Sequence, residues 1–236
     1  MNQSPPTPLL SIIIPVLNEA AGIVPLLERL QDLRAAGAEI IVVDGGSADQ
    51  TTQRAMPLAD QVLTAPRGRG SQMNAGAKQA QATNFLFLHA DTQLPPVALA
   101  AITLAFKQGA LWGRFDVVIE GELAGLGMVA FMMNWRSRLS GIATGDQAIF
   151  VRRKAFIKVG GFPDVPLMED IIFSERMRKI APPACLKQKV KTSGRRWEKH
   201  GLLRTILMMW HLRLRFFLGA SPNDLAREYG YVPREN

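Results

Sequence analysis

Residues 85–96 read FLFLHADTQLPP, and this stretch constrains the fold more than any other. Phe85-Leu86-Phe87-Leu88 is an unbroken apolar run of β-forming residues, long enough for a strand covered on both faces and too short for a helix. His89-Ala90-Asp91 places polar side chains where that strand ends, and Pro95-Pro96 stops its continuation. Ligands of open parallel sheets bind beyond the carboxyl ends of the strands, so Asp91 stands where chemistry is ordinarily done. A carboxylate there suits a hard divalent cation that neutralises phosphate oxygens. The same carboxylate can instead cap the helix that follows Pro96.

The upstream chain repeats this construction. Residues 9–16, LLSIIIPV, read as a buried parallel strand with Asn18 and Glu19 at its carboxyl end. Residues 20–36 carry Ile23, Leu26, Leu27, Leu30 and Leu33 on one helical face and stop at Gly37, and residues 39–43, EIIVV, give the next strand. The three form a βαβ unit with a right-handed crossover. In the loop DGGSADQT, two glycines allow a tight turn and close approach of a ligand, and Asp44 can accept from ribose hydroxyls or a base N–H. Ser47 and Asp49 are candidate caps for a helix beginning near Gln50. The first loop lacks G-x-G-x-x-G, which argues against a nicotinamide or flavin site. After a short strand at residues 60–64 comes RGRGSQMNAG, where Arg67 and Arg69 stand at the start of a helix expected to run through residues 75–82. Arginines among glycines at a helix start offer donors and positive potential to a phosphate or nucleotide; a solvated basic loop is the plainer alternative.

The carboxyl half continues with a helix at 97–107, a strand at 111–119 and an apolar helix at 122–139 containing Trp135, Arg136 and Arg138. That last helix is expected either to line the cleft or to be core, and its apolar run is too short to cross a bilayer. Asp146 and Gln147 precede a strand at about residue 149 and can bind ligand hydroxyls, steady a metal, or simply form a turn. Glu169 and Asp170 open a helix expected over 171–179, where the helix dipole favours an anionic Asp170 ready to take a proton. Between residues 201 and 219, Leu203, Ile206, Leu207, Trp210, Leu214 and Phe217 follow helical spacing beside a basic stripe of Arg204, His211 and Arg215. Such a helix packs on its domain, pairs with a second subunit, or lies on an anionic membrane. The tail after Pro222 is expected to be an exposed end.

The totals fit one compact domain: 236 residues, 47% hydrophobic, without repeats or a membrane-length apolar run. The single Cys185 cannot form an internal disulfide and no leader-like series opens the chain, which leads us to expect a cytoplasmic protein, peripheral at most on the inner face of the membrane. A formal charge of +8 and a sequence pI of about 10.1 suit an anionic partner.

As an ordered set, SIIIPVLNEA, IIVVDGGSADQT, RGRGSQMNAGA, FLHAD and GGFPDVPLMED make the chain resemble glycosyltransferase family 2, and within it the small bacterial enzymes tied to arsenosugar biosynthesis. The resemblance implies a GT-A (nucleotide-diphospho-sugar transferase) fold: an α/β domain with a mostly parallel central sheet flanked by helices and a helical carboxyl-terminal extension. It divides the chain into a flexible arm (1–8), a catalytic domain (9–200) and an amphipathic helix with tail (201–236). It implies a nucleotide-sugar donor, a hydroxyl acceptor, no nucleic-acid partner, and a divalent metal, Mn²⁺ or Mg²⁺. By position, Pro15, Asn18, Glu19, Asp44, Arg67 and Gly70 match the donor-nucleotide site. Asp91 matches the metal-binding Asp of the family's D-x-D, whose first Asp is here His89, a residue that can touch the ribose or join the metal. Glu169 and Asp170 match the acidic pair that holds the catalytic base. Thr192 to Trp197 resemble a degenerate Q-x-x-R-W segment, which implies Arg195 or Arg196 on the diphosphate, Trp197 over a sugar and His200 on metal or phosphate, with a basic surface turn as the plain alternative. Two other functions compete: a nucleotidyltransferase acting on a sugar phosphate, and a basic nucleic-acid-binding protein.

Overall fold

The computed structural model describes residues 7–231. Its strands are β1 (Leu10–Val16), β2 (Ala38–Asp44), β3 (Gln61–Thr64), β4 (Asn84–Phe87), β5 (Thr92–Gln93), β6 (Trp112–Glu120), β7 (Ile149–Arg152) and β8 (Ala184–Ser193). Its helices are α1 (Ile23–Ala35), α2 (Thr51–Ala55), α3 (Arg69–Gln79), α4 (Ala98–Lys107), α5 (Leu126–Ser140), α6 (Arg153–Lys158), α7 (Glu169–Arg178), α8 (Arg195–His200), α9 (Leu202–Phe217) and α10 (Pro222–Glu228). The expected arm at residues 1–8 falls largely outside the described residues, as do the last five.

All strands join one sheet in the order β3-β2-β1-β4-β7-β6-β8-β5. The half formed by β3, β2, β1 and β4 is parallel throughout, as the unbroken apolar runs require, and β7 then pairs antiparallel with both β4 and β6. Alternate residues of each central strand serve opposite faces. Ile12, Ile14, Ile40, Val42 and Leu86 pack with α1 and α4, whereas Ile13, Ile41, Val43, Phe85 and Phe87 pack with Met73 of α3 and with Phe156 and Phe173.

Two expectations need correction, and one strand was not foreseen. The helix that starts in the RGRG segment begins at Arg69, as expected, but ends at Gln79, short of the expected residue 82. Its start follows from Gly68 at φ 143°, a turn only glycine makes easily, and from Gly70, where an added Cβ would lie 2.3 Å from the Pro163 carbonyl. The unforeseen strand is β8, residues 184–193, which runs parallel to β6 with a register break at Phe115/Asp116. Finally, the chain from Pro222 to Tyr231 is not an exposed end. Ser221 caps α10 by accepting from the Asn223 N–H at 3.3 Å, and Leu225 and Ala226 are buried with Leu212 of α9 and with Leu167, Met168 and Ile171.

Candidate active site

The loops after β1 and β2 are stitched together by side chains. Asn18 N–H donates to Ser47 Oγ at 2.8 Å, Ala48 N–H to Asn18 Oδ1 at 2.9 Å, and Glu19 N–H to Thr51 Oγ1 at 2.8 Å. Asp44 Oδ2 accepts the N–H groups of Gly46 and Ser47, each at 2.9 Å, and its Oδ1 is bonded by the Ser47 hydroxyl. Asn18, with φ 55°, and Asp44 therefore hold the shape of these loops instead of pointing their polar atoms into open space. Asp49 ties the loops too, accepting from Ala20 N–H at 3.1 Å and from Thr51 N–H at 3.0 Å.

Beyond these strand ends lies a cavity of about 400 Å³. Pro15, Glu19, Arg67, Arg69, His89 and Asp91 line it, with Gln72 at its base. Gln72 is buried and donates from Nε2 to the carbonyls of Val16 at 2.9 Å and Val43 at 2.7 Å, locking α3 to the ends of β1 and β2. Burial, together with the nearby Asp91 charge, raises the Glu19 pKa against the opposing pull of Arg195 and Arg69.

His89, Asp91 and Asp146 each bring a ligand atom within 4.8 Å of the others. His89 Nδ1 is 3.3 Å from Asp146 Oδ1. Burial pushes the Asp146 carboxyl up, but the hydrogen bond and charge of His89, with Arg69 and Arg213, outweigh it and hold the pKa below the usual carboxylate value. One imidazole nitrogen and two carboxylates fit a divalent ion such as Mn²⁺. His200 is not in this group; it is exposed and lines a separate cavity with Arg196 and Arg204.

Asp170, in the first turn of α7, is linked to the same place through backbone. Its Oδ2 accepts the Gly145 N–H at 3.0 Å and its Oδ1 the Ile171 N–H at 2.7 Å. Gly145 lies against the His89 ring so closely that a Cβ would fall 2.1 Å from His89 Cε1. The adjacent Glu169 is buried, and desolvation with the charge of Asp170 pushes its pKa up to about 7.

The remaining expected contacts lie elsewhere. Gln147 is fully buried; it accepts from Thr144 N–H at 3.2 Å and does not reach the cavity. Arg196 donates to the Tyr229 carbonyl at 2.9 Å and stacks 3.5 Å over that ring, and Trp197 packs among Leu123, Leu126 and Leu202. Arg195 is exposed beside Ser193, although its charge acts on Glu19. Gly70 packs against Pro163. The cavity also recruits residues that strand-and-loop reasoning missed: Asp164, Pro222, Asn223 and Tyr231, with the Arg69 guanidinium 5.7 Å from the Tyr231 ring. The run Ser221-Pro222-Asn223-Asp224 carries the signal for the last helix, a serine cap followed by proline at the first helical position.

A half-parallel sheet with helices on both faces and carboxylates gathered at its strand ends defines a GT-A fold. Solved structures share it. Staphylococcus aureus TarS 1–349 in complex with UDP-GlcNAc superposes with a TM-score of 0.64 at 20% identity, over 78% of this chain and 58% of that one. The mannosyltransferase PcManGT from Pyrobaculum calidifontis, in complex with GDP-Man and Mn²⁺, gives 0.62 at 18% identity over 96% and 70%. Residues 11–160 match the family model Glycosyl transferase family 2, and the chain belongs to that family. It is 30% identical over 161 residues to a dolichol-phosphate mannosyltransferase of Pyrococcus furiosus, covering 65% of this chain and 43% of that protein. It is 31% identical over 166 residues to an undecaprenyl-phosphate 4-deoxy-4-formamido-L-arabinose transferase of Pseudomonas syringae, covering 62% and 47%. The chain thus spans less than half the length of these two relatives.

Proposed function

We propose that this chain transfers a sugar from a nucleoside-diphosphate donor to a hydroxyl acceptor, with inversion at the anomeric carbon and assistance from a divalent metal. The observation that carries the reading is the convergence of Glu19, Arg67, Arg69, His89 and Asp91 on one cavity at the strand ends, with Asp146 and Asp170 reached through His89 and Gly145. The nucleotide sugars held by TarS and PcManGT, and the Mn²⁺ held by the latter, support it.

Arg67 and Arg69 present guanidinium donors to the diphosphate, and Pro15 and Glu19 form the nucleotide wall, steadied from behind by the loop after Asp44. His89, Asp91 and Asp146 would hold the metal, which when bound supplies Lewis-acid neutralisation of charge on the diphosphate. Asp170 accepts the proton of the acceptor hydroxyl as the new glycosidic bond forms and the nucleoside diphosphate departs. Each of its oxygens takes one backbone N–H and retains a second lone pair for that proton. Glu169, raised toward neutrality, is the acidic neighbour that sets the field around Asp170.

Within this reading the chain keeps its resemblance to the arsenosugar-associated subgroup and acts in the cytoplasm. Helix α9 makes its peripheral contact, with an anionic membrane face or a second copy. No helix among the described residues is long and apolar enough to cross a membrane.

The test is a thermal-shift screen of UDP, GDP and their sugars with and without Mn²⁺, followed by product analysis. Release of nucleoside diphosphate from a sugar donor is expected. Release of pyrophosphate from a nucleoside triphosphate would convert the reading to nucleotidyl transfer, and salt-sensitive RNA binding without nucleotide-sugar binding would replace it altogether.

A further inference from the structure

Helices α5 and α9 share a small cluster in which Leu126, Val129 and Ala130 meet Leu202 and Ile206. Away from that cluster each exposes a second apolar face. Phe131, Trp135 and Leu139 on α5 and Leu207, Trp210 and Leu214 on α9 are 52–68% exposed, at the three- and four-residue spacings that make one continuous stripe per helix. A surface helix normally turns polar groups to water on that side.

The charge carried by the two helices has one sign. The two helices carry Arg136, Arg138, Arg204, Arg213, Arg215 and His211 and no carboxylate. Carboxylates from neighbouring elements answer some of them: Asp116 pairs with Arg138, Glu228 pairs with Arg215 and lies 3.6 Å from His211, and the charges of Asp170 and Asp146 act on Arg213. Arg204 has no carboxylate partner among the described residues. Arg136 Nη2 is buried and finds no hydrogen-bond acceptor among the described residues. The shared cluster sets α5 against α9, and Arg136 of one interacts with Arg213 of the other: burial and the like charge of Arg213 hold the Arg136 pKa down to about 10.

We propose that α5 and α9 form one surface that seats the chain on an anionic bilayer, with Arg136 and Arg213 at the seam taking the phosphate of a lipid head. A bilayer fits where a second copy does not. Self-pairing of this surface would set arginines against arginines, whereas anionic headgroups complement them and acyl chains cover Trp135 and Trp210. Leu212, next to Arg213, packs with Ile171, next to Asp170, and the charge of Asp170 acts on both arginines. Resting on the reading of Asp170 as the base, this names the acceptor class: a hydroxyl carried on a lipid whose head bears phosphate.

The experiment uses the full chain with vesicles of phosphatidylcholine alone and vesicles containing phosphatidic acid, each also prepared with brominated acyl chains. At low salt the phosphatidic acid vesicles are expected to bind at least about tenfold more tightly. Brominated chains should quench both exposed tryptophans, so that Trp135→Phe and Trp210→Phe each remove part of the quenching. Arg136→Gln and Arg213→Gln, made singly, should each weaken binding to the acidic vesicles severalfold and leave the thermal shift given by UDP or GDP unchanged. Failure to sediment with acidic vesicles, or quenching confined to Trp210, overturns the proposal. So does a dimer in sedimentation velocity whose formation shields the tryptophans without vesicles. Millimolar inorganic phosphate that displaces the vesicles at constant ionic strength would assign the arginine seat to free phosphate and overturn its lipid part. Absence of any nucleotide shift in the wild-type chain would instead sink the donor-site reading while leaving the vesicle result standing.

Discussion

Asp146 Oδ1 lies 3.3 Å from His89 Nδ1, although 57 residues separate them in the chain. Antiparallel pairing of β4 with β7 causes this: Phe87 is opposite Ile149, so the exit of one strand adjoins the entry of the other. Asp146 thereby supplies a carboxylate at a place where the first position of the expected D-x-D holds an imidazole. We expect Asp146→Asn and Asp91→Ala each to weaken Mn²⁺ binding in the presence of nucleoside diphosphate by at least about tenfold, measured by calorimetry. Unchanged Mn²⁺ affinity in both variants would remove this trio as a metal site.

Gly145 permits a sharper version of the same test. A methyl group there would sit 2.1 Å from His89 Cε1 and 2.2 Å from Nε2, so the imidazole has to move. Gly145→Ala is expected to fold, because the ring can shift toward the cavity that it lines, and to lose metal-assisted donor binding about as severely as His89→Ala. A variant that binds donor and metal like the wild type would show that the ring position is immaterial.

Asp170→Asn keeps an oxygen able to accept the Gly145 N–H while removing the proton acceptor. Donor binding should survive. Turnover should fall by roughly 10²- to 10⁴-fold, the range for loss of a general base. A wild-type rate in Asp170→Asn would take that residue out of the mechanism.

Glu169 predicts a pH dependence of stability. Its pKa rises from 4.5 in the unfolded chain to about 7 on burial beside Asp170, so folding favours the protonated form. The associated stability is fully present below pH 4.5 and is lost as pH rises through 7. Glu169→Gln, neutral at every pH, should flatten the decline in melting temperature between pH 5 and pH 8 and be the more stable protein at the upper end, by on the order of 2 kcal/mol. An identical decline in both proteins would show that Glu169 does not carry it.

How much of this was legible beforehand depends on the physics of each segment. The fully buried strands β1, β2 and β4 announce themselves because a double-sided burial demands an unbroken apolar run, and the polar residues closing those runs located Glu19, His89 and Asp91. Strand β8 was missed since its sequence ACLKQKVKTS leaves several residues exposed and carries lysines instead of an apolar run. Gln147 was misplaced because a polar residue beside Asp146 looks like a partner in chemistry, whereas a capping role at Thr144 turns its amide inward. Trp197 illustrates the opposite error: a family motif placed it over a sugar, and the apolar end of α5 claimed it for packing. Pairings such as His89 with Asp146 depend on sheet order, which local pattern does not encode.

The carboxyl-terminal strap gives the last prediction. Pro222, Asn223 and Tyr231 form part of the cavity wall, and the strap is held by Leu225 and Ala226 in the core under α9 and by Arg196 on Tyr229. Tyr231 faces Arg69, one of the two guanidiniums assigned to the diphosphate. Cation–π contact of this kind contributes about 0.5–1 kcal/mol where water has access, enough to position an arginine without fixing it. Tyr231→Ala should therefore raise the dissociation constant for nucleoside diphosphate by about two- to fivefold, leave the melting temperature of the apo chain nearly unchanged, and leave Mn²⁺ affinity untouched. Deleting residues 221–236 goes further, since it uncovers Leu212, Met168 and Ile171 and should lower the melting temperature as well as donor affinity. Titration calorimetry with UDP and GDP separates the two effects, and an unaltered nucleotide affinity in both variants would mean that the strap covers the cavity without contributing to what it binds.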